Sequence, residues 1–432
     1  MTHAELFLRH KAVMPNWLGL FYAEPIELVS GAGCYVFDRQ GKRYLDFFGG
    51  ILTTMTAHGV PEVIDAIRDQ ASKILHTSTL YLIEPMIELA ERLSLLSGID
   101  DAKVFFTTSG TEANDAALLL ATSYRRSNQI LAVRNSYHGR SFSSLAVTAN
   151  PGYGVTTLSP FQVFYLLGGS RIRGPLAGLS DEQYIARGVE DLKDLLRTGA
   201  SGDLAALIAE PIQGVGGFSL PPDGYFKAIK EVLDQHSILY ISDEVQTGWG
   251  RTGDHFWGYE AHGITPDLIT FAKGLGNGLA MAGVIARPDV MDCLHGSSIS
   301  TFGGNPLVSR AALANLDFLF AHDLQSNAQK VGSHILRRLT DETKEFGCVA
   351  QVRGKGLMIG IELCEVNSNL PDRLITNLIL EETRSKGLLI GKGGIDANVL
   401  RIAPPLSLTL HEADEGVDIL LGSIKDACAV VG

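Results

Sequence analysis

The sequence predicts an α/β protein in two parts. One is a large domain with a mostly parallel sheet flanked by helices; the other is a smaller α+β domain built from both termini. Three observations carry this. Short apolar runs of strand type recur near 103–107, 129–134, 161–166, 204–209, 238–242, 267–272 and 281–286. Helical periodicity fills many of the gaps, as in 111–126, 181–198 and 223–236, and such alternation marks parallel strands joined through crossover helices. After a long helical region around 305–346 the pattern changes to "QVRGKGLMIGIEL", a helix at 371–387, "VLRIAPPL" and a last helix.

At the N-terminal end, "GAGCYVFDRQGKRYLDFF" alternates around Asp38–Gly41 and reads as a hairpin. Helical periodicity follows in 61–74 and 84–97. The expected division is an N-terminal segment, 1–60, packing with the small domain, a large domain at 61–325, and a C-terminal small domain at 326–432. With 432 residues the chain can bury a sizeable core.

Bulk properties exclude several classes. A net charge of −12 with no long basic run argues against nucleic acid and anionic membranes as partners. No apolar run approaches the ~18 residues of a membrane span. The five cysteines, Cys34, Cys293, Cys348, Cys364 and Cys428, form no CxxC, which argues against a disulfide framework or a cysteine-rich zinc site. The histidines show no HExxH spacing, so no metal site is expected. The opening "MTHAELFLRHKAVMP" lacks the apolar stretch of a signal peptide. A cytoplasmic protein is expected.

Chemistry is written at the strand ends. In "ILYISDEVQTGWGRTG" an apolar strand stops at two adjacent carboxylates, Asp243 and Glu244. A solvated loop is the ordinary explanation, but ligands of open parallel sheets gather beyond the carboxyl ends of the strands. A second strand, "DLITFAKGLGNG", ends in Lys273. That amine either snorkels to solvent or sits in a dry site, with a lowered pKa, ready to form a Schiff base with an aldehyde. "FFTTSGTEANDAALL" turns through Ser109, Gly110 and Thr111 into a helix. An ordinary N-cap reads the same way, yet free amides at a helix N-terminus also suit phosphate. In "NSYHGRS", Tyr137, His138 and Arg140 lie in a loop after another strand, where an aromatic can cover a flat ligand or simply pack.

Phosphate cup, aromatic plate, strand-end Asp and strand-end Lys fall where one sheet would gather them. Pyridoxal 5'-phosphate needs all four. Its pyridine nitrogen must stay protonated, and a carboxylate ~4 Å away favours that by about 4 kcal/mol at an effective dielectric near 20.

From about Leu18 to Cys428 the chain resembles the class III, fold type I, pyridoxal-phosphate aminotransferases. The signature "SDEVQTGWGRTGDHFWGYEAHGITPDLITFAKGLGNG" carries the likeness, with "FFTTSGTEAN", "SYHGR", "AEPIQG", "STFGGNP" and "LRIAPPL" in the expected order. "YLDFFGGI", "DHFWGYEAHG" and "TFGGNP" resemble the alanine–glyoxylate aminotransferase 2-like subgroup. The resemblance implies that Lys273 forms the Schiff base and shuttles the proton. It implies that Asp243 pairs the ring nitrogen, Gln246 meets the ring 3-oxygen and Tyr137 stacks on the ring. Ser109, Gly110 and Thr111 would hold phosphate, as would Thr301 from the partner subunit of a homodimer or of a tetramer built from it. His138 would lie in the cofactor site. Glu210 belongs to the site's hydrogen-bond network or to the framework behind it. Arg401 would pair the substrate α-carboxylate.

Two positions bear on substrate. Val215 stands where ornithine and 4-aminobutyrate enzymes carry a glutamate that masks the carboxylate-binding arginine. Arg401 is therefore expected to be unpartnered and to favour donors with an α-carboxylate. Arg140 matches an arginine that 4-aminobutyrate enzymes use for a distal carboxylate; a loop-bracing ion pair is the alternative. Phe21, Tyr22 and Ile51 are expected to shape the donor pocket. The implied reaction moves an amino group from an α- or ω-amino donor to a small 2-oxo acid (pyruvate, glyoxylate or 2-oxoglutarate) by a ping-pong cycle. Racemisation, epimerisation or decarboxylation of an amino acid is the alternative on the same machinery.

Overall fold

The computed structural model describes residues 2–200, 203–366 and 368–431. Three strands form first: β1 (Leu28–Ala32), β2 (Tyr35–Asp38) and β3 (Arg43–Asp46). The turn between β2 and β3 is the one read from Asp38–Gly41. Asp38 Oδ1 accepts from the amides of Gln40 and Lys42, both at 2.9 Å.

The alternating region gives β4 (Lys103–Thr107), β5 (Gln129–Val133), β6 (Gln162–Leu166), β7 (Ala206–Ala209), β8 (Leu239–Asp243), β9 (Leu268–Phe271) and β10 (Ala282–Ala286). They form one sheet in the order β4-β10-β9-β8-β7-β5-β6. β9, β8, β7, β5 and β6 run parallel, and only β10 opposes its neighbours. Every residue of β5, β7, β8, β9 and β10 is buried, as expected where helices cover both faces. The strand order reverses at β5: β6 lies to one side, and β7, β8 and β9 follow on the other. The loops leaving β5 and β7 diverge there and open a crevice at the carboxyl edge.

The long helical region is two helices, Pro306–Ala321 and Leu324–Glu342. They break at Asp323, whose φ of 48° cannot continue a right-handed helix. Helices Pro61–Lys73 and Glu84–Leu96 both pack on Pro306–Ala321.

The remaining strands are β11 (Val349–Lys355), β12 (Met358–Leu363), β13 (Leu388–Leu389), β14 (Gly391–Gly393) and β15 (Val399–Ile402). One sheet has the order β11-β12-β15-β14. In it Arg353, Gly360 and Arg401 are cross-strand neighbours, so the two arginines share a face. β13 leaves that group and runs parallel to β3, with Leu388 beside Leu45 and Leu389 beside Asp46. The first hairpin is thereby completed by residues near the other end of the chain.

Cys348 and Cys428 are joined in a disulfide, with Cα atoms 6.4 Å apart, whereas the sequence argued against such pairing. Eighty residues separate them, so no local spacing announces the bond. Cys34, Cys293 and Cys364 are free. Among the described residues no helix is long and apolar enough to cross a membrane.

Candidate active site

The adjacent carboxylates at the end of β8 face opposite ways, as successive strand residues must. Glu244 turns inward with Ser242. Its oxygens accept from Ser242 Oγ at 3.0 Å, Thr247 Oγ1 at 2.5 Å, and the amides of Gly258 and Tyr259 at 2.8 and 2.9 Å. Burial pushes its carboxyl up to about 7 against the pull of those bonds. It is a fully satisfied structural group.

Asp243 faces the crevice. Its Oδ2 accepts from His138 Nδ1 at 2.7 Å and Asn114 Nδ2 at 2.8 Å, while Oδ1 has only the Val245 amide at 3.1 Å. Asn114 is itself fixed: Nδ2 also donates to the His138 carbonyl at 2.7 Å, and Oδ1 accepts from Thr270 Oγ1 at 2.7 Å. Thr270 lies opposite Asp243 in the β8–β9 register, so sheet pairing aims the whole group. His138 Nε2 is buried and has no partner among the described residues.

Lys273 follows β9 in a left-handed conformation, φ 45°. Burial draws its amine down to about 8, with Asp243 opposing and Arg401 adding to the fall. Behind it Gly274 admits no side chain, since a Cβ would stand 2.9 Å from both Met55 Sδ and Trp249 Cδ1.

The turn after β4 presents the N-terminus of helix Gly110–Arg125. Ser109 caps it, its Oγ accepting from the Glu112 amide at 3.2 Å. The amides of Gly110 and Thr111 meet no acceptor among the described residues. A Cβ at Gly139 would lie 2.7 Å from Thr111 Oγ1, so the loop after β5 lies close against this cup. Tyr137 on that loop stands edge-on to Tyr153 with centroids 4.8 Å apart. Glu210, just past β7, ties two loops together by accepting from the Tyr137 amide at 2.9 Å and the Gly214 amide at 2.7 Å. Burial raises its carboxyl, with His138 opposing.

Arg401 is 3% exposed, and burial lowers its guanidinium only to about 10, so it stays cationic at neutral pH. It has no carboxylate partner among the described residues, but it is not bare. Its Nη2 donates to Gln246 Oε1 at 2.8 Å, a link across 155 residues that sequence does not display. Its Nε is buried without a partner. Arg401 and the Val215 backbone both border Gly393, where a Cβ would lie 2.7 Å from Arg401 Cδ and 2.8 Å from the Val215 carbonyl.

A cavity of about 360 Å³ joins the cofactor-side parts; Arg401 and Val215 do not line it, and Arg401 is tied to its wall through Gln246. Ser109, Gly110, Thr111, Tyr137, His138, Arg140, Glu210, Asp243, Gln246 and Lys273 all line it. Arg140 forms no ion pair among the described residues, and its guanidinium lies 6.0 Å from the Trp17 ring. Thr301 is exposed and not at the wall of its own chain's cavity. Phe21, Tyr22 and Ile51 do not line it either, and Phe21 instead stacks on Phe48 at 5.7 Å. Sequence reasoning missed Asn114, although its spacing from Gly110 and Thr111 puts all three on one helix face. It also missed Thr53 and the 278–281 segment, which line the cavity without a chemical signature. No cluster of three or more metal-donor side chains occurs among the described residues.

The donor set fits pyridoxal 5'-phosphate. Two free helix amides suit its phosphate, the open side of Asp243 Oδ1 suits a protonated ring nitrogen, and Lys273 Nζ suits its aldehyde. A crevice of this composition on this sheet defines a pyridoxal-phosphate enzyme.

Comparison with known proteins gives the family. The model of aminotransferase class-III matches residues 22–424. The chain is 38% identical over 395 residues to alanine–glyoxylate aminotransferase 2 homolog 2, mitochondrial, of Arabidopsis thaliana, covering 91% of this chain and 81% of that protein. It is 35% identical to an alanine/serine racemase of Pyrococcus horikoshii, over 98% of this chain and 90% of that one. A solved transaminase obtained through ancestral reconstruction superimposes with a TM-score of 0.92 at 29% identity, with both chains fully covered. The chain belongs to the class III aminotransferase family. It is a pyridoxal-phosphate-dependent transaminase, taking an amino group from a donor and passing it to a 2-oxo acid.

Proposed function

We propose that this transaminase works on amino and oxo acids that carry an α-carboxylate, with a small 2-oxo acid such as pyruvate or glyoxylate as acceptor. One observation carries the reading: Arg401 is a buried cation with no carboxylate partner among the described residues, and Val215, whose backbone borders Gly393 as Arg401 does, brings no charge. A buried cation is costly unless paired, so a substrate carboxylate is a favourable partner.

When bound, the cofactor supplies an aldehyde for the amine and a ring that draws off the electron pair released at Cα. Lys273 Nζ would be the amine that takes the aldehyde and would move the proton at the substrate α-carbon. Asp243, held in place by His138 and Asn114, would keep the ring nitrogen charged. Gln246 would serve the ring 3-oxygen, Ser109, Gly110 and Thr111 the phosphate, and Tyr137 the ring face. Glu210 sets the spacing between Tyr137 and the 214–217 loop. Arg140, unpaired at the cavity, is available for a distal carboxylate.

Two finer readings accompany this. Thr301 completes the phosphate site of a partner subunit in a homodimer. The apolar residues beside it support that: Ile299 and Phe302 are 58% and 59% exposed, His76 touches Phe302, and Leu80 and Leu82 are nearby in sequence to His76 and uncovered. Activity regained on mixing Lys273→Ala with Thr301→Ala subunits is the expected sign of shared sites. Cytoplasm stays the proposed compartment on the three free thiols, with the Cys348–Cys428 bridge counting against it; fractionation decides. The division 1–60, 61–325 and 326–432 is likewise proposed, on the separate sheets.

The decisive experiment follows the cofactor's absorption in single turnovers with alanine and then pyruvate. Transfer of the amino group, lost in Lys273→Ala, supports the reading. Interconversion of alanine enantiomers without transfer would favour the second reading, racemisation, which the likeness to the alanine/serine racemase motivates.

A further inference from the structure

Two phenyl rings stand near the Arg401 guanidinium, Phe48 from the "YLDFFGGI" stretch and Phe218, which no motif singled out. Its Cζ lies 4.5 Å from the Phe218 centroid and 5.6 Å from that of Phe48. Phe218 is the nearer and is fully buried. Its backbone is unusual, with φ at 52°, a left-handed conformation that an aromatic residue seldom adopts. Strain of this kind persists only where the surroundings enforce it.

The enforcement comes from a second arginine. Arg353 donates from Nε to the Gly217 and Phe218 carbonyls at 3.1 and 3.2 Å, and from Nη2 to the Gly217 carbonyl at 2.7 Å. It is paired with Glu362, a carboxylate it shares with Arg173. Gly217 precedes Phe218 at φ 90°, where a Cβ would strike Val399. The turn closes through Phe218 N to the Gly214 carbonyl at 3.4 Å and the Gln213–Ser219 bridge. A short, rigid loop therefore delivers one ring to one place.

We propose that Phe218 is a positioning and specificity residue of the transaminase, its ring face holding the Arg401 guanidinium in the plane that receives a substrate carboxylate. The inference rests on Arg401 being the α-carboxylate site. The negative face of an aromatic ring attracts a guanidinium, most strongly where water is excluded. It does so without competing for the hydrogen-bond edges, as an acidic partner would. Gln246 takes Nη2, Phe218 takes one face, and Nε stays free. The cation is thus stabilised in the resting site and still able to form a paired contact with a carboxylate.

The test uses the holoenzyme with alanine as substrate and propionate as an unreactive carboxylate inhibitor. Phe218→Leu should raise KM for alanine and Ki for propionate about fivefold to tenfold, with kcat within about twofold. Phe218→Tyr, which keeps the ring, should stay near the parent. Since a leucine in this tight loop can fail to fold, the second variant carries a ring-fluorinated phenylalanine at the same position, preserving shape and weakening the negative face; it should move Ki in the same direction. Unchanged Ki in a folded Leu or fluorinated variant overturns the proposal, as does equal loss in the Tyr and Leu variants. Arg401→Lys separates the two readings. If it leaves alanine KM unmoved, the carboxylate site itself is misassigned and the role of Phe218 falls with it; if alanine KM rises while the Phe218 variants stay silent, only the present inference fails.

Discussion

Asp243 and Glu244 are neighbours in the chain and both buried, yet the protein treats them oppositely. Glu244 is saturated by two hydroxyls and two amides, whereas Asp243 is bound tightly on one oxygen and lightly on the other. The same division separates the arginines on either side of Phe218. Arg353 is paired with Glu362, which it shares with Arg173, and spends its donors on loop carbonyls; Arg401 has one amide, two neighbouring rings and an idle Nε. Burial alone therefore does not mark a functional charge; on the proposed reading the functional charges are the ones left incompletely satisfied.

The carboxylates give the largest contrast. Asp243→Asn should lower kcat by about 10³-fold, the value of losing a ~4 kcal/mol charge interaction at the ring, while folding is nearly retained. Glu244→Gln should leave kcat within about twofold and cost ~1–3 kcal/mol of stability, because the Gly258 and Tyr259 amides bond different carboxylate oxygens and the NH2 that replaces one of them would face a donor. The Glu244 carboxyl is raised to about 7 in the fold, so its contribution is fullest below its unfolded value and declines as pH rises through 7. The gap in melting temperature between parent and Glu244→Gln should accordingly be wider at about pH 5 than at about pH 8. A kcat collapse in Glu244→Gln would erase the contrast.

For the arginines, Arg401→Ala should raise KM for alanine by about 10²-fold with a normal melting temperature. Arg353→Ala should instead lower stability by ~3 kcal/mol as its hydrogen bonds and its share of the Glu362 pair are lost. Val215→Glu tests the same division by supplying Arg401 with the charge it lacks. A rise in KM for α-amino acids of roughly tenfold or more is expected, with 4-aminobutyrate affected less. An unmoved ratio of kcat/KM for the two substrates would show that position 215 does not govern access. Arg140→Ala is the companion variant, expected to weaken substrates with a distal carboxylate and to spare alanine. The smallest effect concerns Lys273. Cofactor-free protein should capture pyridoxal phosphate at a rate that rises with pH around a midpoint near 8, not near the usual lysine value.

Much of this was legible beforehand for a physical reason. Parallel strands covered on both faces must be apolar, so a charge at their end, such as Asp243 or Lys273, stands out against the run before it. The helix start at Ser109–Thr111 is legible because caps are local. What sequence could not display are contacts made across the chain. Gln246 finding Arg401, Phe218 lying over that cation, and Cys348 meeting Cys428 each depend on how separate elements are brought together. Residues 49–52 show the limit within a short stretch: Gly49, Gly50, Ile51 and Leu52 all take positive φ, and nothing in a β-branched isoleucine and a helix-preferring leucine foretells it.

The pairing of β13 with β3 has a consequence in time. The hairpin of β1 to β3 leaves the ribosome early, but its remaining edge is filled only by Leu388 and Leu389, synthesised more than three hundred residues later. At ~5–20 residues per second that interval is some tens of seconds. During it the nascent chain carries an unpaired strand edge, a template for association with other chains. Slowed elongation should therefore lower soluble yield, and an early chaperone contact on residues 28–46 should restore it. The first sheet begun is among the last to close.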